Sequence, residues 1–314
     1  MGDYRRGEID PPSPEHVERW SKQFSKTVRE PLLEELDHVL KQTYYSRRAV
    51  NNFLTSLVEN KKIAGDDPRT FWRGIKFLDI QGGGNSQTEM LAIFGAALKK
   101  ECGLNIDQCG KKPRAFVYLD DAIFTGSRVR TDLGSWFQSD DCPETVNVHV
   151  VTIALHRSGK GYADGRIKDS AAKAKRKLTI TWWRCVGIED RKACVDTSDV
   201  LWPTCLPDCK LTRAYAESLK YKTVFRTRGN IGENKFFSCE EGRHLLEQEF
   251  LKAGAKIRSQ CPNLNIYQRP LGNMILETLG FGSLFVTFRN CPNNCPLAIW
   301  AGDPWYPLFP RKTN

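Results

Sequence analysis

Two aspartates stand side by side at positions 120 and 121, behind the apolar run A-F-V-Y-L of residues 115–119 and just ahead of Thr125, Gly126, Ser127 and Arg128. A run of that kind reads as a buried strand. With the strand ending at Leu119, Asp120 and Asp121 project at the carboxyl edge of a sheet. Carboxylate oxygens only accept hydrogen bonds, so an adjacent pair suits two neighbouring ribose hydroxyls. The next turn opens a helix over residues 127–137. Backbone N–H groups at a helix start, with the Thr125 and Ser127 hydroxyls beside them, make an anion site, and Gly126 lets the backbone come close to it. Diol-binding acids at one end and a phosphate cradle at the other are spaced for a ribose 5-phosphate. The plainer reading of the same residues is a capped strand–helix turn with solvated acids.

The surrounding text supplies the elements that would position such a site. Strands are expected over 75–80, 115–119, 146–155 and 178–183, and helices over 88–100, 127–137 and 163–177. Near-continuous apolar strands alternating with helices predict an α/β fold built on a parallel sheet covered on both faces. Ligand sites in such sheets lie beyond the carboxyl ends of the strands. Both Asp120-Asp121 and the loop Q-G-G-G-N-S-Q at 81–87, with Gly82, Gly83 and Gly84, fall there. Ahead of this core, residues 1–14 read as a disordered lead-in and 15–64 as a helical module. The core is expected over 65–202, and an aromatic-rich α+β extension over 203–314. In the extension, helices are expected over 211–220 and 239–255, and two short strands over 284–288 and 297–300.

The stretch V-Y-L-D-D-A-I-F-T-G-S-R resembles the phosphoribosyl-diphosphate (PRPP) motif of type I phosphoribosyltransferases: an apolar strand, two acids, three residues, then Thr-Gly and a small hydroxyl. The match covers the 12 residues 117–128, and the order of elements matches from about 75 to 185. The resemblance implies that Asp120 and Asp121 hold the ribose hydroxyls and stabilise charge at the anomeric carbon. It implies that residues 122–128, with Thr125, Gly126, Ser127 and Arg128, grip the 5-phosphate. Gly82, Gly83 and Gly84 would meet the diphosphate, with Mg2+ bridging it, and His156, Arg157 and Lys160 would line the base side. Arg128 stands where the family often has Thr. The interval that carries the family's mobile catalytic loop is short here, Glu101 to Arg114, although it contains Lys111, Lys112 and Arg114.

The helical front and the C-terminal extension, above all F-R-N-C-P-N-N-C-P-L-A-I-W, look like the phosphoribosyltransferase-like proteins with C-terminal extensions of bacterial conflict systems, some of them beside retron reverse transcriptases. That likeness implies an effector in antiphage defence that binds PRPP or a nucleotide. The alternative is a catalytically inactive sensor or adaptor for a reverse transcriptase–nucleic acid partner.

A formal charge of +10 favours anionic ligands without saying anything about fold. The densest basic stretch, 155–177, reads as a solvated helix face. No apolar run is long enough to span a membrane, and the polar first residues carry no secretory signal, so no membrane partner and a cytoplasmic location are expected. Oligomeric state is left open. Eleven cysteines, an odd number, do not suggest a disulfide framework. Cys205/Cys209 and Cys291/Cys295 are two C-x3-C pairs that together could offer four thiolates to zinc; reduced, partly buried thiols are the simpler expectation.

Overall fold

Ser13 caps the first helix: its hydroxyl accepts the His16 N–H at 3.2 Å, with Pro14 in the first turn. Helices α1 (Pro14–Ser21) and α2 (Arg29–Thr43) bury Trp20, Leu32, Leu36 and Val39 along amphipathic stripes. A two-residue strand β1 (Tyr44–Tyr45) and helix α3 (Arg47–Val58) follow. The computed structural model describes residues 1–83 and 85–312. Its chain forms two compact units, Met1–Arg47 together with the chain from Ile188 onward, and Arg48–Gly187. The helical stretch expected as one module over 15–64 is thus divided between them. What draws α3 into the second unit is the Trp72 indole, which is buried and donates to the Val58 carbonyl at 2.8 Å.

The second unit continues through α4 (Lys61–Ala64), α5 (Pro68–Arg73), β2 (Ile75–Leu78) and α6 (Ser86–Cys102). Then come β3 (Ala115–Ile123), α7 (Ser127–Trp136), β4 (Thr145–His156), α8 (Arg157–Lys173) and β5 (Lys177–Ile188). The strands form a four-stranded sheet in the order β2-β3-β4-β5. Its ladders are parallel, with Ile75 opposite Ala115 and Phe116 opposite Val148. β5 starts beside β4, where the Lys177 N–H donates to Glu144 O at 2.7 Å. Phe116 and Tyr118 point to a core shared with Val129 and Leu133 of α7 and Ile167 of α8. On the opposite pleat Phe77 meets Phe94 of α6 with ring centroids 5.2 Å apart. Helices therefore cover both faces, which is why β3 is apolar residue after residue.

Three boundaries differ from expectation in ways that matter. β2 stops at Leu78, while β3 runs on to Ile123 because Asp120, Ala122 and Ile123 keep pairing with Thr152, Ala154 and Leu155 of β4. The two acids lie within the end of a strand rather than after it. α8 begins at Arg157, so the expected loop after the third strand is helix.

In the first unit the chain resumes with α9 (Lys210–Glu217) and α10 (Glu240–Gln260). A hairpin of β6 (Gln268–Arg269) and β7 (Gly272–Asn273), strand β8 (Val286–Thr287) and the short helix α11 (Leu297–Trp300) complete it. β8 pairs in parallel with β1, Tyr44 opposite Val286. Residues 297–300, expected as a strand, are a helical turn: all four are buried, and a short buried apolar run carries no period that separates strand from helix. The Trp20 indole donates to Ala298 O at 2.8 Å, so the N-terminal helices and the C-terminal extension share one core. Residues 1–14 carry part of it. Tyr4 is fully buried, with its hydroxyl donating to Pro310 O at 2.9 Å and accepting the Cys291 N–H at 3.0 Å. Burial, with the Cys291 thiol next to it, raises the Tyr4 pKa far above its ordinary value.

An ion cluster inside this unit holds α10 to the irregular chain around it. Glu247, fully buried, accepts from Arg226 at 2.9 and 2.8 Å, from Arg243 at 2.9 Å and from the Trp202 N–H at 3.1 Å. Arg243 spends its other donors on Ser198 Oγ, Val200 O and Asn230 O at 3.0, 3.0 and 3.1 Å. Removing one member of such a set leaves buried charge uncompensated. Glu247→Ala is expected to cost about 3–5 kcal/mol in denaturant unfolding. Breaking the exposed Glu18–Lys22 pair by Lys22→Ala should cost under about 1 kcal/mol. Equal losses for the two variants would contradict the structural role given to Glu247.

Candidate ribose-phosphate site

Beyond Leu78, which is opposite Tyr118, β3 continues beside β4 without β2 in the ladder. That step in the sheet edge is where the two acids sit. Asp120 is 5% exposed and its Oδ1 accepts the Asp121 N–H at 2.9 Å. Asp121 is more open, and its carbonyl accepts from Thr152 Oγ1 at 3.1 Å. Successive strand residues point to opposite faces, so the pair straddles the end of the sheet.

The turn after β3 is tight and opens directly into α7. Gly126 takes φ of +73°, the left-handed region, and caps α7, with the Arg130 N–H donating back to its carbonyl at 3.1 Å. Thr125 Oγ1 accepts the Ser127 N–H at 3.3 Å. The first turn of α7 leaves N–H groups without intrahelical acceptors, at the positive end of the helix dipole. Two glycines set the position of this turn. A Cβ on Gly126 would run into Gly159 O and the Ala163 side chain, and one on Gly159 would run into Phe124 O. The turn therefore rests directly on the first turn of α8.

Gly82 and Gly83, after β2, lie against α7. Gln87, fully buried, uses Oε1 to accept the Ile80 and Gln81 N–H groups at 2.7 and 3.1 Å. Gln81 returns a bond, accepting the Gln87 N–H at 3.3 Å and the Ser86 hydroxyl at 3.1 Å. Gly82 donates its N–H to Asp132 Oδ1 at 3.4 Å, and Gly83 O accepts from Arg128 Nη1 at 2.5 Å. Gly84 lies outside the described residues. Asp132, 6% exposed, also accepts the Tyr118 hydroxyl at 2.8 Å. Burial first, and the nearby Asp120 and Asp132 charges next, push the Tyr118 pKa far above its ordinary value, so its proton stays on.

The structure thus brings Asp120, Asp121, Thr125, Gly126, Ser127, Arg128, Gly82 and Gly83 to one sheet edge. His156 ends β4 fully buried, its ring 5.0 Å from that of Phe124, so it backs the turn after β3 rather than lining an open surface. Arg157 opens α8, and Lys160 lies over the Trp182 ring at 5.9 Å. Nearby, burial would raise the Asp164 pKa, but hydrogen bonds from Lys168 and Trp182 at 2.8 and 2.7 Å hold it below the usual range. His149 is held neutral by burial and accepts from the Trp183 indole at 3.0 Å.

Sequence reasoning missed Asp132, Tyr118 and Gln87. The one signal was an acid four residues after Arg128 on a helix whose other buried residues are apolar.

The four cysteines do not form a metal set. Cys291 and Cys295 are fully buried, Cys205 is exposed and Cys209 half-buried. Among the described residues no three His, Cys, Asp or Glu side chains cluster as metal ligands, and all eleven cysteines are free thiols. A separate cleft of about 460 Å3 runs along α10 in the first unit. Of its charged residues, Glu249 pairs with Lys252 and Arg228 with His244 inside the cleft, while Glu240 pairs with Arg226 and Asp208 with Arg213 outside its lining.

A parallel α/β sheet whose central strand ends in two acids, followed by a glycine turn that opens a helix, defines a phosphoribosyltransferase-like fold. The chain belongs to the PRTase-CE family, whose model matches residues 17–311 and so takes in both the core and the C-terminal extension. No curated protein and no solved structure matches it. No helix among the described residues is long and apolar enough to cross a membrane.

The bracing of the Gly126 turn is open to a direct check. Gly159→Ala should destabilise the protein by about 1–3 kcal/mol, since its Cβ has backbone in its way. Gly161→Ala in the same helix meets nothing within 4 Å and should stabilise by about 0.5–1 kcal/mol. Thermal melts in which the two variants move together would remove the close approach as a constraint.

Proposed function

We propose that the chain binds PRPP, or a nucleotide that carries a ribose 5-phosphate, at the end of β3. The observation that supports this most is the pairing of Asp120-Asp121 with the Gly126 turn on a single strand–helix connection. Asp120 and Asp121 accept from the ribose hydroxyls. The first turn of α7, with the Thr125 and Ser127 hydroxyls, receives the 5-phosphate. The loop with Gly82 and Gly83 faces the diphosphate. The donor set suits Mg2+ rather than a protein-caged metal: two carboxylates with no third ligand cluster among the described residues match a cation that keeps waters and takes ligand phosphate oxygens. Bound there, Mg2+ would neutralise charge on the diphosphate.

We read the ligand as bound more than turned over. The interval where type I enzymes carry a mobile catalytic loop is short and tied down. The Gly110 N–H donates to Arg73 O at 3.0 Å and the Arg114 N–H to Gly74 O at 2.8 Å. A Cβ on Gly110 would collide with Lys76. These ties lie at the amino ends of β2 and β3, the opposite end from the acids, and they hold Lys111, Lys112 and Arg114 there. This supports the sensor or adaptor reading over a transferase. The family likeness supports a role in antiphage defence of the retron type, with a reverse transcriptase–nucleic acid complex as the partner.

Calorimetry with PRPP and Mg2+, alongside a pyrophosphate-release assay, tests the proposal. Asp120→Asn/Asp121→Asn should weaken PRPP binding by on the order of 10- to 100-fold, the value of one or two hydrogen bonds to charged groups. Binding without pyrophosphate release supports the sensor. Release that disappears in the double variant would make the protein an enzyme, and no binding by the wild-type chain would refute the site.

A further inference from the structure

Helix α7 grips the diphosphate loop at two consecutive residues. Arg128 and Asp132 are four residues apart, hence on one face of the helix. Arg128 Nη1 donates to Gly83 O at 2.5 Å, and Asp132 Oδ1 accepts from Gly82 N–H at 3.4 Å. The same helix begins at the phosphate turn. A buried carboxylate is costly unless its lone pairs are satisfied. Asp132 meets that cost with the Tyr118 hydroxyl at 2.8 Å and the Gly82 N–H, amid a core face otherwise made of Val129, Leu133 and Trp136. An apolar residue would fill that place more simply if only packing were at stake.

Resting on the reading of this site as a PRPP site, we propose that Asp132, held by Tyr118, is the positioning residue of the diphosphate loop and, with Arg128, makes the site select ribose 5-phosphates that bear a diphosphate. A run of glycines samples many conformations, and an anion site made from its backbone exists only while one of them is occupied. Two bonds from one packed helix restrict the loop before the ligand arrives, so the ordering cost falls on folding instead of on binding. Asp132 does not meet the ligand. Its oxygens are engaged by Tyr118 and Gly82, and a bare carboxylate facing a diphosphate would repel it. The helix that receives the 5-phosphate thereby also sets the loop for the other end of the same molecule.

The test compares two probes on the full-length protein by titration calorimetry with Mg2+: PRPP, and ribose 5-phosphate, which lacks the diphosphate. Asp132→Ala should weaken PRPP binding about tenfold, the worth of one charge-assisted bond, and leave ribose 5-phosphate within about twofold. Asp132→Asn retains an oxygen that can accept from Gly82 and should recover most of the loss. Tyr118→Phe, which keeps the ring and frees the carboxylate, should lose PRPP selectively as well and guards against a variant that fails to fold. Equal losses for both probes in folded variants, or no loss for either, overturn the inference. A wild-type chain that binds neither probe overturns the site reading itself, and the inference with it, which is a separate outcome.

Discussion

The site depends on one mismatch in strand length. β2 leaves the sheet at Leu78 while β3, still paired to β4, continues to Ile123. If β2 kept pace, its backbone would run alongside Asp120 and Asp121, and the loop after it would start beyond them. Because β2 stops early, Ile80 and Gln81 are held to the start of α6 by Gln87, with mutual Gln81–Gln87 bonds. Parallel sheets place loops at the carboxyl ends as a matter of topology. The stagger between β2 and β3 is what sets two of those loops face to face.

The second requirement is a rigid floor. The Gly126 turn touches α8 through Gly126 and Gly159, backbone against backbone, and α7 leaves that turn with Val129, Leu133 and Trp136 packed on the sheet. Close packing of this kind transmits small displacements. The turn that opens α7 and the peptides of Gly82 and Gly83 are joined by one helix, through Arg128 and Asp132. His156 and Phe124 pack together beneath the turn, so the histidine expected along the base side is part of the support.

Much of the core was legible. The two acids, the Thr-Gly-Ser turn and the order of strands and helices follow from apolar runs and glycine punctuation, features local to the chain. What could not be read was set by partners distant in sequence. The length of β3 depends on pairing with β4. The start of α8 was hidden by Gly159, Gly161 and Gly165, of which Gly159 is there for contact with Phe124. Asp132 looks in the sequence like any solvated helix acid, and only the fold shows it buried against Tyr118. In the other unit, Tyr4 lies in a polar lead-in, yet the fold buries it against Cys291 and Pro310, nearly three hundred residues away. Residues 297–300 are apolar throughout, so they had no period from which to tell helix from strand.

The distribution of contacts within the site also bears on what it can do. Were PRPP to bind as proposed, the contacts to its 5-phosphate at the helix start would be the same before and during bond breaking at the anomeric carbon. Such contacts bind a ground state and a transition state alike, and uniform binding does not speed the chemical step. Rate enhancement would have to come from the two acids, beside the positive charge that grows on the ribose, and from the diphosphate end, where negative charge grows as the bond lengthens. There the structure supplies a glycine loop and Arg128, whose guanidinium is engaged with Gly83 O. The lysines of residues 103–114 are anchored at the other end of the strands.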